Sequence, residues 1–396
     1  DLSLRRCLEI HRHARSLEDK LAASYIRIEV LFSQKKIFEA IQSCLALLSS
    51  LGEPLAEKPA SFQILAEWRK TKAMMKGLKP ESLLSLPTMQ CHIKRHTQRY
   101  LSLLVNMCFS VINDKILPMA ILKMFQNALA FGNCDLTPFS IAGYGMLCTF
   151  LGSCDEAAKY GRLAIQLCEK MESNICIPST YAIVYSTLHH LRSPLLEGIE
   201  PLLKAYRVGV ANGEVQYAAT STAISVSMGF CCALPLKSYT EDVKNVCDQL
   251  KLLKQECTWS LVVPYWRAAV DLTGAGSGED WTIARDVFDN LVAQDNIAQD
   301  GQIGLMWRNY HMVTYIVSYI FNNFDAASQK RKTMNERSKQ GPKSTHFMVY
   351  FEMFFSGLLD FALYRKRRRW AELHRARAIT KTFQRLVKEG AVNCMG

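Results

Sequence analysis

Apolar residues recur at helical spacing along nearly the whole chain, and no long stretch alternates apolar and polar positions as a half-buried strand would. The pattern predicts helices at about 3–14, 17–33, 37–51, 60–76, 91–112, 115–131, 138–151, 154–171 and 178–191. It continues at about 195–211, 214–231, 239–253, 257–272, 280–293, 300–322, 324–338, 343–364 and 368–389. Breakers separate them: Gly52-Glu53-Pro54, Leu86-Pro87, Gly132-Asn133, Asn212-Gly213 and Gly341-Pro342. Short connectors without strands predict an all-α fold, an α-solenoid of stacked antiparallel helical hairpins forming a TPR-like superhelix. Residues 1–273 are expected to form one array and the Gly-rich stretch 274–279 a flexible loop. Residues 280–396 are expected to continue the repeats, truncated at the C-terminal end.

The clearest repeat is Ser140–Met171, SIAGYGMLCTFLGSCDEAAKYGRLAIQLCEKM. Gly145 is small where a partner helix must come close, and Gly152 ends the first helix. Ala157 and Ala164 share one face of the second helix, with Gly161 between them. This order of small residues matches the tetratricopeptide pattern, in which small facing side chains let two antiparallel helices approach. Weaker copies place Ala40 and Ala327 at the equivalent second-helix alanine. Another hairpin surrounds His190-Leu191-Arg192-Ser193-Pro194.

Composition agrees with a helical, core-forming chain. Its 396 residues include only 20 glycines and 12 prolines, about 8% against a usual ~12%. A hydrophobic content of 49% against 21% charged residues excludes a disordered tail. The 14 cysteines form no CxxC and no framework spacing, and several sit on apolar stripes (Cys44, Cys148, Cys168, Cys247). They read as small hydrophobes in a reducing, cytoplasmic compartment. The first residue is Asp1 and no leader-like segment follows it, so the chain is expected to be an excerpt of a longer protein. The uncharged stretches Leu136–Cys154 and Val215–Leu236 are long enough to span a bilayer. Their glycines, prolines and hydroxyl residues instead predict helices buried inside an array, with no membrane span.

The formal net charge of +12 is spread along the chain, with one dense run at Arg365, Lys366, Arg367, Arg368 and Arg369. That run is expected to be a solvated turn between two helices; a candidate basic interaction patch or a nuclear-import signal is the alternative. No phosphate-binding loop, kinase signature, HExxH or GxSxG occurs. Cys91-His92 with His96 offers two histidines on one helix face, but a third ligand is missing and Lys94, Arg95 and Arg99 oppose a cation. His189-His190, late in a helix, is expected to interact with the helix C-terminal dipole. The aromatic groups around Trp259, Tyr265 and Trp266, around Trp307, Tyr310, Tyr315 and Tyr319, and from Phe347 to Phe355 read as core. Neither a catalytic residue nor a cofactor or metal site is expected.

A series of short motifs gives the chain a wider likeness. They run from Ala40-Ile41 to Leu51-Gly52, through Gly77–Pro87, Leu122–Asn133 and Phe139–Leu151, to Gly161-Arg162-Leu163-Ala164 with Leu167. Then come Ser193-Pro194-Leu195-Leu196-Glu197, Glu200–Gly209, Asn212-Gly213-Glu214 with Tyr217-Ala218-Ala219, Leu253-Lys254-Gln255-Glu256 and Val392-Asn393-Cys394. In this order the chain, from about Leu17 to Cys394, resembles the tetratricopeptide-like helical region of large STAND/AAA-ATPase multidomain signalling proteins. These join a serine/threonine-kinase-like domain, a predicted ATPase, this helical region, a GAF sensor and often a histidine kinase. Each motif is degenerate, and the specificity lies in their order. The match loosens after Leu272, and the run at Arg365–Arg369 departs from it. No catalytic residue carries over, because the ATPase and kinase motifs lie outside the chain.

The resemblance implies a non-catalytic scaffold or sensor arm whose partners are a protein, a peptide or neighbouring domains of the same polypeptide. A free-standing adaptor that binds a partner peptide is the second reading. A nucleic-acid-binding helical repeat is the third, and nucleic acid is not the expected partner.

Overall fold

The computed structural model describes residues 2–34, 36–111, 115–150, 152–274, 304–338 and 346–394, with the isolated positions Thr282, Asp286 and Asp289. Among them the chain is all-α. It has seventeen α-helices, short 3-10 turns and no strand beyond one isolated bridge between Thr88 and Asn133. Two compact units divide it, Asp1–Thr180 and Tyr181–Gly396. The division falls within a helix, Cys176–Thr187; residues 275–279 of the Gly-rich stretch and most of the helix expected at 280–293 lie outside the described residues.

The first unit contains α1 (Leu2–His13), α2 (Leu17–Ser33), α3 (Ile37–Ser50), α4 (Ser61–Met74), α5 (His92–Ser110), α6 (Ile116–Phe131), α7 (Thr137–Phe150) and α8 (Cys154–Met171). Helix α9 (Cys176–Thr187) begins there. Most of these helices pack on the next in sequence, as stacked hairpins must. Helix α4 departs from this order: it lies against α6, while a 3-10 turn at Pro80–Ser85, absent from the helical pattern, covers α8.

The caps follow from local chemistry. Ser16 and Asp19 exchange side-chain-to-backbone hydrogen bonds of 3.1 Å at the start of α2. Helix α7 ends at Gly152, φ +80°, where the Gly152 and Ser153 N–H groups bond back to Thr149 and Cys148 carbonyls. In α8, Asp155 and Glu156 occupy the first turn and Lys170 the last, matching the helix dipole. Among its buried residues, Ala157, Tyr160, Gly161, Ala164, Leu167 and Cys168 fall on one stripe.

The second unit holds α10 (Ile199–Asn212), α11 (Val215–Cys231), α12 (Leu236–Leu252), α13 (Glu256–Leu272), α14 (Gly304–Ile320), α15 (Phe324–Ser338), α16 (Met348–Arg367) and α17 (Trp370–Lys388). Its core joins Leu202 on α10, Val226 on α11, Val243 on α12, Tyr265 and Trp266 on α13, Tyr315 on α14 and Leu359 on α16. The expected helix 178–191 stops at Thr187, and His189–Leu191 form a separate 3-10 turn. Ser186 and Thr187 both donate their hydroxyls to the Ile183 carbonyl, an alternative to helical propagation. Likewise Leu195–Gly198 is a 3-10 turn leading into α10. Among the described residues no helix is long and apolar enough to cross a membrane.

Candidate functional site

The hairpin α7/α8 contains most of the residues singled out for packing. Ala157 and Ala164 are fully buried, and Gly145 and Gly161 are buried beside them. In α7 a Cβ at Gly143 would sit 2.9 Å from Ile121 Cγ2 on α6. Ala40 is fully buried in α3, and Ala327 is fully buried in α15 within the other unit's core. The alanines therefore serve separate hairpins.

Around that first hairpin the structure assembles an aromatic stack that the repeat pattern did not indicate. Tyr144 lies between Phe125 (4.4 Å between centroids) and Trp68 (5.1 Å), nearly parallel to both, and Tyr160 meets it edge-on at 4.9 Å. Burial pushes the Tyr144 phenol well above its ordinary range, so it stays neutral. Lys72 lies 5.4 Å from the Trp68 ring centroid and pairs with Glu156 at 2.8 Å. Trp68 belongs to α4, which has one buried side chain, Thr71. Thr71 and Glu67 fasten the helix to Gln126 on α6 at 2.9 Å each. On its outer side Phe62 is 72% and Leu65 47% exposed. Phe62, Leu65 and Trp68 thus make an apolar strip, exposed at one end and anchored on Tyr144 at the other.

In the second unit the basic run closes α16 and opens α17. Lys366 pairs with Asp325 at 2.6 Å, and Arg367 pairs with Asp325 at 2.5 Å and with buried Glu372 at 3.5 Å. Arg368 takes a left-handed conformation, φ 56°, at the helix end. Arg365, Arg368 and Arg369 are exposed. The run is a turn between helices with part of its charge consumed internally.

The two histidine motifs are packing features. His92 and His96 meet edge-to-face at 4.6 Å, and burial, then His92, holds the His96 pKa below its ordinary value. Lys94 turns away to Glu53 at 2.6 Å. Among the described residues no group of three or more His, Cys, Asp or Glu side chains is placed to hold a metal ion. His190 does not serve a helix dipole as a cation: burial first, then His346 and His189, brings its pKa down to about 3. It packs against Tyr350 at 5.5 Å. The aromatic groups are largely core, with Tyr265, Trp266, Tyr315 and Phe347 buried, whereas Phe354 is exposed. Trp307's side chain lies outside the described residues.

Sequence reasoning missed a buried charge cluster. Asp360 on α16 accepts from Arg331 on α15 at 2.7 Å and from Arg375 on α17 at 2.9 Å, locking three helices together. Its one visible sign was Asp360 itself, an acidic residue within the apolar run from Gly357 to Leu363.

No family model, curated protein or solved structure matches the chain.

Proposed function

We propose that the chain is a non-catalytic helical-repeat scaffold, the sensor arm of a larger signalling ATPase, which docks a neighbouring domain or partner segment on α4. The observation that carries this is the apolar strip of Phe62, Leu65 and Trp68. Two large side chains stand in solvent on a helix that is itself held firmly through Thr71, Glu67 and the Tyr144 stack. Exposed apolar side chains on a rigid base are what a protein partner uses as anchors. The order of motifs along the chain supports the signalling context, with an ATPase module on the same polypeptide.

Docking at α4 biases the ATPase only if the partner binds one of its states more tightly than the other. The test is made in the full-length protein, once the gene has been read for an upstream phosphate-binding loop. Replacing Phe62 and Leu65 with serine is expected to shift nucleotide hydrolysis several-fold while changing the melting temperature little, since Phe62 is mostly and Leu65 about half in water. A gene without an ATPase module, or equal rates for variant and wild type, overturns the proposal. The chain alone hydrolyses no ATP in this reading.

A further inference from the structure

Helix α17 presents two faces of opposite character. Leu373 and Ala376 are buried, and Ile379 packs on α16, where a Cβ at Gly357 would come within 3.0 Å of it. On the other face Trp370, His374, Arg377, Lys381, Arg385 and Lys388 are all exposed. Successive steps of three or four residues put these six on one line along the helix. Arg377, Lys381, Arg385 and Lys388 follow one another at about 5–6 Å of axial rise, and Arg368 and Arg369 stand at the Trp370 end.

The neighbouring cations are neutralised by the fold: Arg375 by Asp360, Arg367 by Asp325 and Glu372, Lys366 by Asp325. Among the described residues the one ion pair on the outer line is Arg385 with Glu389 at 3.7 Å, both side chains mostly in water. A row of like charges held on one face of a packed helix creates a positive field with no internal role. Its complement is a linear polyanion.

Trp370 decides which one. Its ring is 72% exposed, next to Arg368 and Arg369, with Tyr364 6.0 Å away. An exposed indole at the head of a cationic track is a stacking platform for an unpaired base; a duplex keeps its bases stacked on each other. An acidic peptide would have no use for the ring. A membrane would need the apolar face of α17, which is already packed on α16.

We propose that the outer face of α17 binds single-stranded nucleic acid, with phosphates along Arg377, Lys381, Arg385 and Lys388 and a base stacked on Trp370. The experiment is fluorescence anisotropy of a labelled oligouridylate titrated with the full chain at about 50 and about 200 mM salt. Four phosphate contacts give a log–log salt slope near −2.8, or about a 50-fold loss of affinity across that interval. Lys381→Gln with Arg385→Gln is expected to halve the slope. Trp370→Ala is expected to weaken binding about tenfold at unchanged slope. All three side chains are exposed, so circular dichroism and melting temperature should match wild type and exclude misfolding as the cause. The proposal is overturned by absence of binding at the lower salt or by an unaffected Trp370→Ala variant. Equal affinity for a duplex of the same length, or equal displacement by polyglutamate or anionic vesicles, also overturns it.

Discussion

The side-chain carbonyl of Asn393 accepts the backbone N–H of Leu195 at 2.7 Å, 198 residues earlier in the chain. Its amide group donates to the carbonyls of His190 and Ser193, each at 2.8 Å. One carboxamide thus satisfies three backbone groups of the turn between α9 and α10. Asn393→Asp keeps the acceptor and loses both donors, whereas Asn393→Leu loses all three bonds. We expect losses of about 1 and about 2 kcal/mol, kept small because the site is partly exposed. Urea denaturation at neutral pH measures them, and a leucine variant no less stable than wild type would show that the turn holds without Asn393.

Gly132 is fixed by a backbone approach within the first unit. It sits at φ +98°, and a Cβ there would lie 2.1 Å from the Pro87 carbonyl oxygen. The same contact carries the hydrogen bonds Asn133 N–H to Pro87 and Met89 N–H to Asn133, both 2.7 Å. Gly132→Ala therefore meets both an unfavourable dihedral and a backbone clash that no rotamer relieves. The expected cost is roughly 2–4 kcal/mol. Gly52→Ala is the control: its φ is +79° with nothing within 4 Å, and about 1 kcal/mol is expected. Equal losses at the two positions would mean that the Pro87 contact contributes nothing.

These two junctions show what was legible in the chain. Helical periodicity gave most helices and the all-α architecture, because each helix writes its own burial pattern at short range. Leu86-Pro87, Gly132-Asn133, Ser193-Pro194 and Val392-Asn393 were visible as breakers or motifs. That the first two pair with each other, and the last two likewise, is a long-range fact that local spacing does not encode. Gly145 was legible as a small residue, but that Gly143 meets Ile121 depends on another helix and is not written in local spacing. The aromatic stack and the Asp360 cluster were hidden for the same reason: Trp68, Phe125 and Tyr144 come from three helices. The outer line of α17 is legible in helical spacing, since Trp370, His374, Arg377, Lys381, Arg385 and Lys388 recur at steps of three or four.

Removing Asp360 should be among the most damaging single changes in the second unit. The carboxylate is buried, and Arg331, also buried, depends on it and on Ser356. Asp360→Ala leaves the Arg331 guanidinium without its counter-charge, with an expected loss of about 3–5 kcal/mol. Arg375→Ala removes a partner whose side chain is half in water and should cost less than about 1 kcal/mol. Thermal and urea unfolding of both variants check the order. A reversed ranking would place the main anchor of these helices elsewhere.

His190 should make the second unit sensitive to acid. The ring is buried between the α9–α10 turn and the start of α16, and among the described residues neither nitrogen has a hydrogen-bond partner. Its pKa falls from 6.5 to about 3 in the folded chain, chiefly through burial. The unfolded chain therefore binds a proton across the interval from about pH 6.5 to about pH 3, and the folded chain does not. Stability contributed by the neutral ring is intact above about pH 6.5 and declines as pH falls, by roughly 2 kcal/mol at about pH 5. His190→Phe removes the titrating group and two unsatisfied nitrogens while keeping an aromatic ring against Tyr350. The variant should match or exceed wild type near neutrality and lose less of its urea midpoint on acidification to about pH 5. Parallel acid losses in variant and wild type would assign the sensitivity to other groups.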